Sequence, residues 1–141
     1  MIIEVCSQAK ATELAAAASV KTSIISITSL EEPDVAFGTN PAIVSVLHLR
    51  FNDLTEEYDE EGIPYGRPLP EQKDLEGLKA FVDDLACEHL IIHCWEGTSR
   101  SAAVAAAVSE YLGLGDQLRT SQPFAPNPLV YALARRELKE V

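Results

Sequence analysis

The stretch that most limits how this chain can fold is Ser101–Leu112, where Ala102, Ala103, Ala105, Ala106 and Ala107 leave a helix almost no polar face. A helix of that kind has to be covered on nearly all sides. It follows closely on an apolar run, Leu90-Ile91-Ile92, and His93-Cys94-Trp95-Glu96-Gly97-Thr98-Ser99-Arg100-Ser101 between them leaves room only for a tight turn. Strand, turn and helix in that order gather free backbone N–H groups and the positive end of a helix dipole around one small concavity, which suits an oxyanion such as phosphate. Cys94 opens the turn and Arg100 closes it, so a thiolate and a guanidinium can converge on one tetrahedral group.

At 141 residues the chain is long enough for a core that needs neither disulfide nor metal, and one domain is expected. No apolar run approaches the roughly 18 residues of a membrane span. The start, Met1-Ile2-Ile3-Glu4-Val5, has neither the basic region nor the long apolar region of a secretory signal, so a soluble, cytoplasmic protein is expected. A net charge of -11 is the wrong sign for tracking nucleic acid or an anionic membrane, and both partners are set aside. Cys6, Cys87 and Cys94 are an odd number without a close CxxC pair; they indicate neither a disulfide framework nor a structural zinc, and no metal or other cofactor is expected.

Ile2–Val5 reads as a strand, and Ser7 as the cap of a helix over Gln8–Ser19 with Ala11, Leu14, Ala15 and Ala18 on one face. Thr22–Thr28 is a second strand, ended by Glu31-Glu32-Pro33-Asp34. Ile43–Phe51, apolar on both faces, is expected to be a third, central strand. From Asn52 to Leu69 the acidic residues Asp53, Glu56, Glu57, Asp59, Glu60 and Glu61 are punctuated by Gly62, Pro64, Gly66 and Pro68. This predicts a long surface loop, a feature more often a functional lid than idle chain, although its carboxylate run is more often solvated than a reader of substrate. Pro70 begins a helical stripe of Leu75, Leu78, Phe81, Val82 and Leu85. His89–His93 is the fourth strand, Gly113 and Gly115 stop the alanine-rich helix, and Asn127-Pro128 opens a last helix carrying Leu129, Val130, Leu133 and Leu138. The order implies an α/β fold: one domain with a mostly parallel central sheet of about four or five strands flanked by helices. Ligands of such sheets sit at the carboxyl ends of the strands, where the Cys94 turn lies.

A cysteine at a helix N-terminus beside an arginine is favoured as thiolate and is a nucleophile. Its attack on a phosphate monoester requires the equatorial oxygens to be held, which the amides of Trp95, Glu96, Gly97, Thr98 and Ser99 and a bidentate Arg100 can do together. The product is a phosphocysteine. A carboxylic acid elsewhere must then protonate the leaving oxygen and later take a proton from water. Ser101 is placed to hydrogen-bond the departing sulfur, or is an ordinary first-turn serine. His93 is read as a support of the turn, because a cysteine already ionised by its surroundings needs no base. Trp95 either lines the pocket mouth or packs on a neighbouring loop. Cys6, Cys87, His48 and His89 lack such a context.

His93-Cys94, five residues, then Arg100-Ser101, with Glu96 and Gly97 inside, resembles the signature of the cysteine-dependent protein tyrosine phosphatases. More narrowly it is similar to the H-C-x-E-G-x-S-R-S form of dual-specificity phosphatases, while Leu49–Asp53 and Asn127–Leu129 are similar to small prokaryotic members. Low-molecular-weight phosphatases and related arsenate reductases also have C-x5-R, but near the amino terminus. The resemblance implies hydrolysis of phosphotyrosine, with phosphoserine and phosphothreonine as further candidates, in a phosphorylated protein or peptide, through phosphocysteine and without a cofactor. It also implies a general acid on a separate upstream loop, for which Asp53, directly after a predicted strand, is the leading choice and Asp59 the runner-up. Some phosphatases of this type protect an oxidised nucleophile by a disulfide, a part open here to Cys87. Two other functions compete: a phosphoprotein-binding module without turnover, which would not need a thiolate, and a phosphatase of a nucleotide or inositol phosphate, for which the turn lacks extra Lys or Arg.

Overall fold

In the computed structural model, which describes residues 1–139, all strands of the central sheet run parallel. The elements are β1 (Ile2–Ser7), α1 (Gln8–Ala17), β2 (Thr22–Thr28), β3 (Ile43–Arg50), α2 (Leu78–Asp83), β4 (His89–Cys94), α3 (Arg100–Leu112), β5 (Leu118–Thr120) and α4 (Pro128–Lys139). The strand order is β3-β2-β4-β1-β5. Parallel neighbours need crossover connections, and the helices that supply them cover both faces. The fold is therefore a single α/β domain with a five-stranded parallel sheet.

β4 lies in the middle, and its alternation sorts the core. Ile91 packs with Cys6, Ile24, Ala11 and Ala15 on the face that α1 covers. Leu90, Ile92 and Cys94 pack on the opposite face with α2, α3 and α4. Each fully buried Ile or Leu here contributes about 1.5–3 kcal/mol. α3 is buried along most of its length, including Ala102, Ala103, Ala105 and Ala107, because α4 lies against it on the side away from the sheet. Ser7 Oγ accepts the Lys10 N–H over 3.2 Å and caps α1. At the other end Asn40 Nδ2 donates to the Ala15 and Ala18 carbonyls (3.0 and 2.9 Å), which is why this helix stops at Ala17, short of Ser19.

Two expectations change here, and one strand lies where none was expected. β3 is an edge strand paired only with β2, although Ile43 and Val46 pack on one face of the sheet and Leu47 and Leu49 on the other. Apolar residues on both faces report coverage above and below, which an edge strand can have as well as a central one. Its free edge leaves Val44 47% exposed, and Arg50 pairs with Asp34 beside it, charges that discourage a further strand from pairing there. The stripe after Pro70 is two pieces, a 3-10 turn at Gln72–Leu75 and then α2, because Gly77 takes φ +90° between them. Leu75, Leu78 and Val82 are buried nonetheless. β5, three residues beside β1, had no signal in a segment that short. No helix of the described residues is long and apolar enough to cross a membrane.

Candidate active site

β4 ends at Cys94, and the chain turns through Trp95–Ser99 into α3. Gly97 has φ +81°, and a Cβ there would stand 2.4 Å from the Cys6 carbonyl carbon and 2.6 Å from the Ser7 nitrogen. The turn thus lies directly on the end of β1, and only glycine fits. Its carbonyls are tied outward: Trp95 O accepts from Gln8 N (3.2 Å), Thr98 O from Ala125 N (2.9 Å), and Ser99 O from Ala103 N and Asn127 N (3.0 and 3.2 Å). No peptide bond of the described residues is cis, and across a trans peptide the N–H points opposite to the C=O. The amides of Glu96, Ser99 and Arg100 therefore point away from those partners, a nest of backbone donors at the head of a helix of the kind that suits an anion.

His93, wholly buried, fixes the same turn from below. Its Nδ1 lies 3.2 Å from the Cys94 carbonyl, which only accepts, so Nδ1 carries the proton and Nε2 accepts from Ser26 Oγ at 2.7 Å. Burial holds the ring below its ordinary value of 6.5; the bond to the Cys94 carbonyl opposes that shift, and Arg100 and His48 add to it. Every polar atom of a neutral ring is used structurally.

Cys94 is 3% exposed, with its Sγ 3.1 Å from Ser101 Oγ and accepting the Gly97 N–H at 3.4 Å. Arg100 is 6% exposed, and both hydrogen bonds that hold it are made by Nη1, to Ser29 Oγ and the Phe51 carbonyl, each 3.0 Å. Nε is one of two buried side-chain polar atoms without a partner among the described residues. The guanidinium is therefore anchored by one nitrogen, Nη1, while its buried Nε has no partner, an arrangement that normally costs about 1–3 kcal/mol or more for a charged group.

Asp53 closes the opposite wall. Its Oδ1 accepts from Ser99 Oγ (2.8 Å) and Asn127 Nδ2 (2.9 Å), and Asn127 Nδ2 also reaches the Leu54 carbonyl at 3.2 Å. Both bonds fall on one oxygen, leaving Oδ2 for other partners. Asp53, Cys94, Arg100 and the turn between them enclose a cavity of about 160 Å³. Trp95, 60% exposed, borders this cavity and a neighbouring one of about 410 Å³, so its ring stands at the pocket mouth. Glu96 and Thr98 lie on the rim of the smaller cavity.

Asp59 is not at this wall. Its Oδ1 accepts the Glu61 and Ile63 N–H groups, both at 2.9 Å, and so shapes a turn farther along the loop. Cys87 precedes β4, whose length of roughly 16 Å separates it from Cys94, far beyond the ~7 Å Cα separation a disulfide allows, so the pairing of Cys87 with Cys94 is excluded. Cys6 faces the α1 side of the sheet, and burial, with help from Glu4, pushes its thiol up to about 12. The residues that sequence reasoning missed are Ser29 and the Phe51 carbonyl, which hold Arg100, and the second use of Asn127, read there only as a helix cap. Among the described residues no group of three or more His, Cys, Asp or Glu is arranged to hold a metal. Compared with protein-family models, curated proteins and solved structures, the chain gives no match.

Proposed function

We propose that the chain is a cysteine-dependent phosphomonoester hydrolase similar to the dual-specificity protein phosphatases, cytoplasmic, and acting on phosphotyrosine, and also phosphoserine and phosphothreonine, in proteins. The observation that carries this reading is the small cavity that Cys94, Asp53, Arg100 and the turn line together, with the Arg100 guanidinium held in place by Nη1 alone. A phosphate in that cavity would accept from the guanidinium and from the turn amides at once, with charge-assisted bonds that tighten as charge builds on the equatorial oxygens.

In this reading Cys94 Sγ attacks phosphorus in line, forming the S–P bond as the P–O bond to the leaving group breaks. Asp53 Oδ2, with Oδ1 held by Ser99 and Asn127, gives its proton to the departing oxygen. Water then attacks the phosphocysteine, Asp53 takes back a proton, and the sulfur leaves as thiolate with Ser101 Oγ in place to donate to it. A binding module without turnover would use the same nest, but would need neither the serine beside the sulfur nor the carboxylate beside the nest.

The test is hydrolysis of an activated aryl phosphate by the wild type and by Cys94→Ser, Arg100→Lys and Asp53→Asn. The serine variant should be inactive, and the lysine variant, which keeps charge but not the fork, down by about a hundredfold or more. Wild-type turnover in Cys94→Ser contradicts the proposal.

A further inference from the structure

The loop after β3 leaves the sheet at Asp53, on the wall of the smaller cavity, and returns at Gly66-Arg67-Pro68, which line the larger one. Between these anchors it forms a small hairpin, with Asp59 N donating to Ile63 O (2.9 Å), Tyr65 N to Glu57 O (3.1 Å) and a bridge between Tyr58 and Pro64. The loop thus starts at the smaller cavity and ends at the larger, adjoining one, and carries Glu56, Glu57, Glu60 and Glu61, all exposed, between those two ends. From the other side Glu31 and Glu32 line the larger cavity, which Trp95 and Arg100 share with the nest. None of these six glutamates has an ion-pair partner among the described residues.

The site is therefore bipolar. A largely buried guanidinium and the turn amides form the floor, and glutamates without ion-pair partners stand at Glu31 and Glu32 and along the hairpin, Glu32 Oε1 also accepting the Ser29 N–H at 2.8 Å, while Arg67 and Arg100 are the two bases lining the larger cavity. A substrate that is anionic throughout, such as a polyphosphate, would be drawn to the floor and repelled by the rim. One anion flanked by cations satisfies both.

We propose that the nest and its glutamate rim take a phosphorylated peptide segment bearing Lys or Arg within about three residues of the phosphorylated one, a reach of roughly 10 Å along an extended chain. The phosphoryl group sits on Arg100 and the turn amides, and the basic side chains lie toward Glu31 and Glu32 on one side and the hairpin on the other. This rests on the phosphatase reading for turnover, but its binding half does not.

The experiment uses the whole chain and three phosphotyrosine peptides of identical centre with basic, neutral or acidic flanks. Their kcat/KM values are measured at low and high salt, and their affinities for the Cys94→Ser protein by fluorescence anisotropy. Exposed ion pairs are individually weak, so several together should favour the basic over the acidic peptide by about tenfold at low salt, shrinking severalfold as salt is raised. In Glu60→Lys/Glu61→Lys protein, checked for folding by its melting temperature, the basic preference should fall. Equal values for the three peptides, or an acidic preference, overturn the proposal even with the phosphatase reading intact. If no phosphate ester is hydrolysed, the phosphatase reading fails, and the order of affinities still decides the matter of substrate charge.

Discussion

Asn127 Nδ2 donates to Asp53 Oδ1 over 2.9 Å, so the first residue before α4 sets the carboxylate that follows β3. The Oδ1 of the same asparagine accepts the Leu129 and Val130 N–H groups at 3.0 and 3.1 Å and caps α4. Two substitutions separate these tasks. Asn127→Ser keeps a good cap but has no group that reaches Asp53, so it should lose less stability than Asn127→Ala while, on the proposed function, kcat on an aryl phosphate falls by about tenfold or more. Asn127→Ala should lose stability as well, by about 1–2 kcal/mol. Undiminished kcat in Asn127→Ser would remove the positioning role.

Gly97 cannot be replaced without moving the turn. A methyl group at this position meets Cys6 and Ser7 backbone atoms at 2.4–2.6 Å, and φ is +81° besides. Backbone cannot yield as a side-chain tip does, so Gly97→Ala should destabilise the protein by about 2 kcal/mol or more and reduce turnover beyond the loss in folded fraction. Denaturant titration with parallel kinetics on the folded fraction checks both.

His93 predicts an acid-labile fold. Its folded-state pKa lies below the ordinary 6.5, so between the two values the unfolded chain binds a proton that the folded chain does not. Stability then rises with pH in that window; the full contribution is present above 6.5 and is lost as pH falls toward the folded-state value, at no more than about 1.4 kcal/mol per pH unit for one proton. His93→Asn, which cannot titrate, should show a shallower loss of unfolding free energy between neutral and mildly acidic pH. An unchanged slope would mean that other groups carry it.

Much of this arrangement is legible from residue types, and the remainder fails for identifiable reasons. The alanine-rich α3 and the apolar β4 set a covered strand–turn–helix with Cys94 and Arg100 at its ends, because local periodicity and the turn's length leave few alternatives. Asp53 reaches the same wall because it follows a strand of a parallel sheet, where strand ends converge. Lateral order is a different matter: nothing in Ile43–Arg50 says that only β2 lies beside it. The contacts of Arg100 with Ser29 and the Phe51 carbonyl join the ends of β2 and β3 to α3, and depend on that order. The break at Gly77 was masked by a hydrophobic stripe that stays in phase across it.

The three thiols should differ sharply toward iodoacetamide at neutral pH. Cys6 is buried and its thiol is pushed up to about 12, so it should remain unmodified in the native protein. Cys94 opens onto the small cavity, and on the proposed function should react fastest and be protected by inorganic phosphate or vanadate. Peptide mapping after a brief exposure reads all three. Labelling of Cys94 no faster than Cys87, or unaffected by phosphate, contradicts the anion nest.

The most direct test is to find the covalent intermediate. An aryl phosphate mixed with Asp53→Asn protein, in which hydrolysis of the intermediate lacks its base, is quenched in acid within the first turnovers and the Cys94 peptide is examined by mass spectrometry. The account predicts a mass increase of one HPO₃ on Cys94, absent in Cys94→Ser. Turnover of the aryl phosphate by Cys94→Ser at the wild-type rate, or phosphate found on another residue, would contradict it.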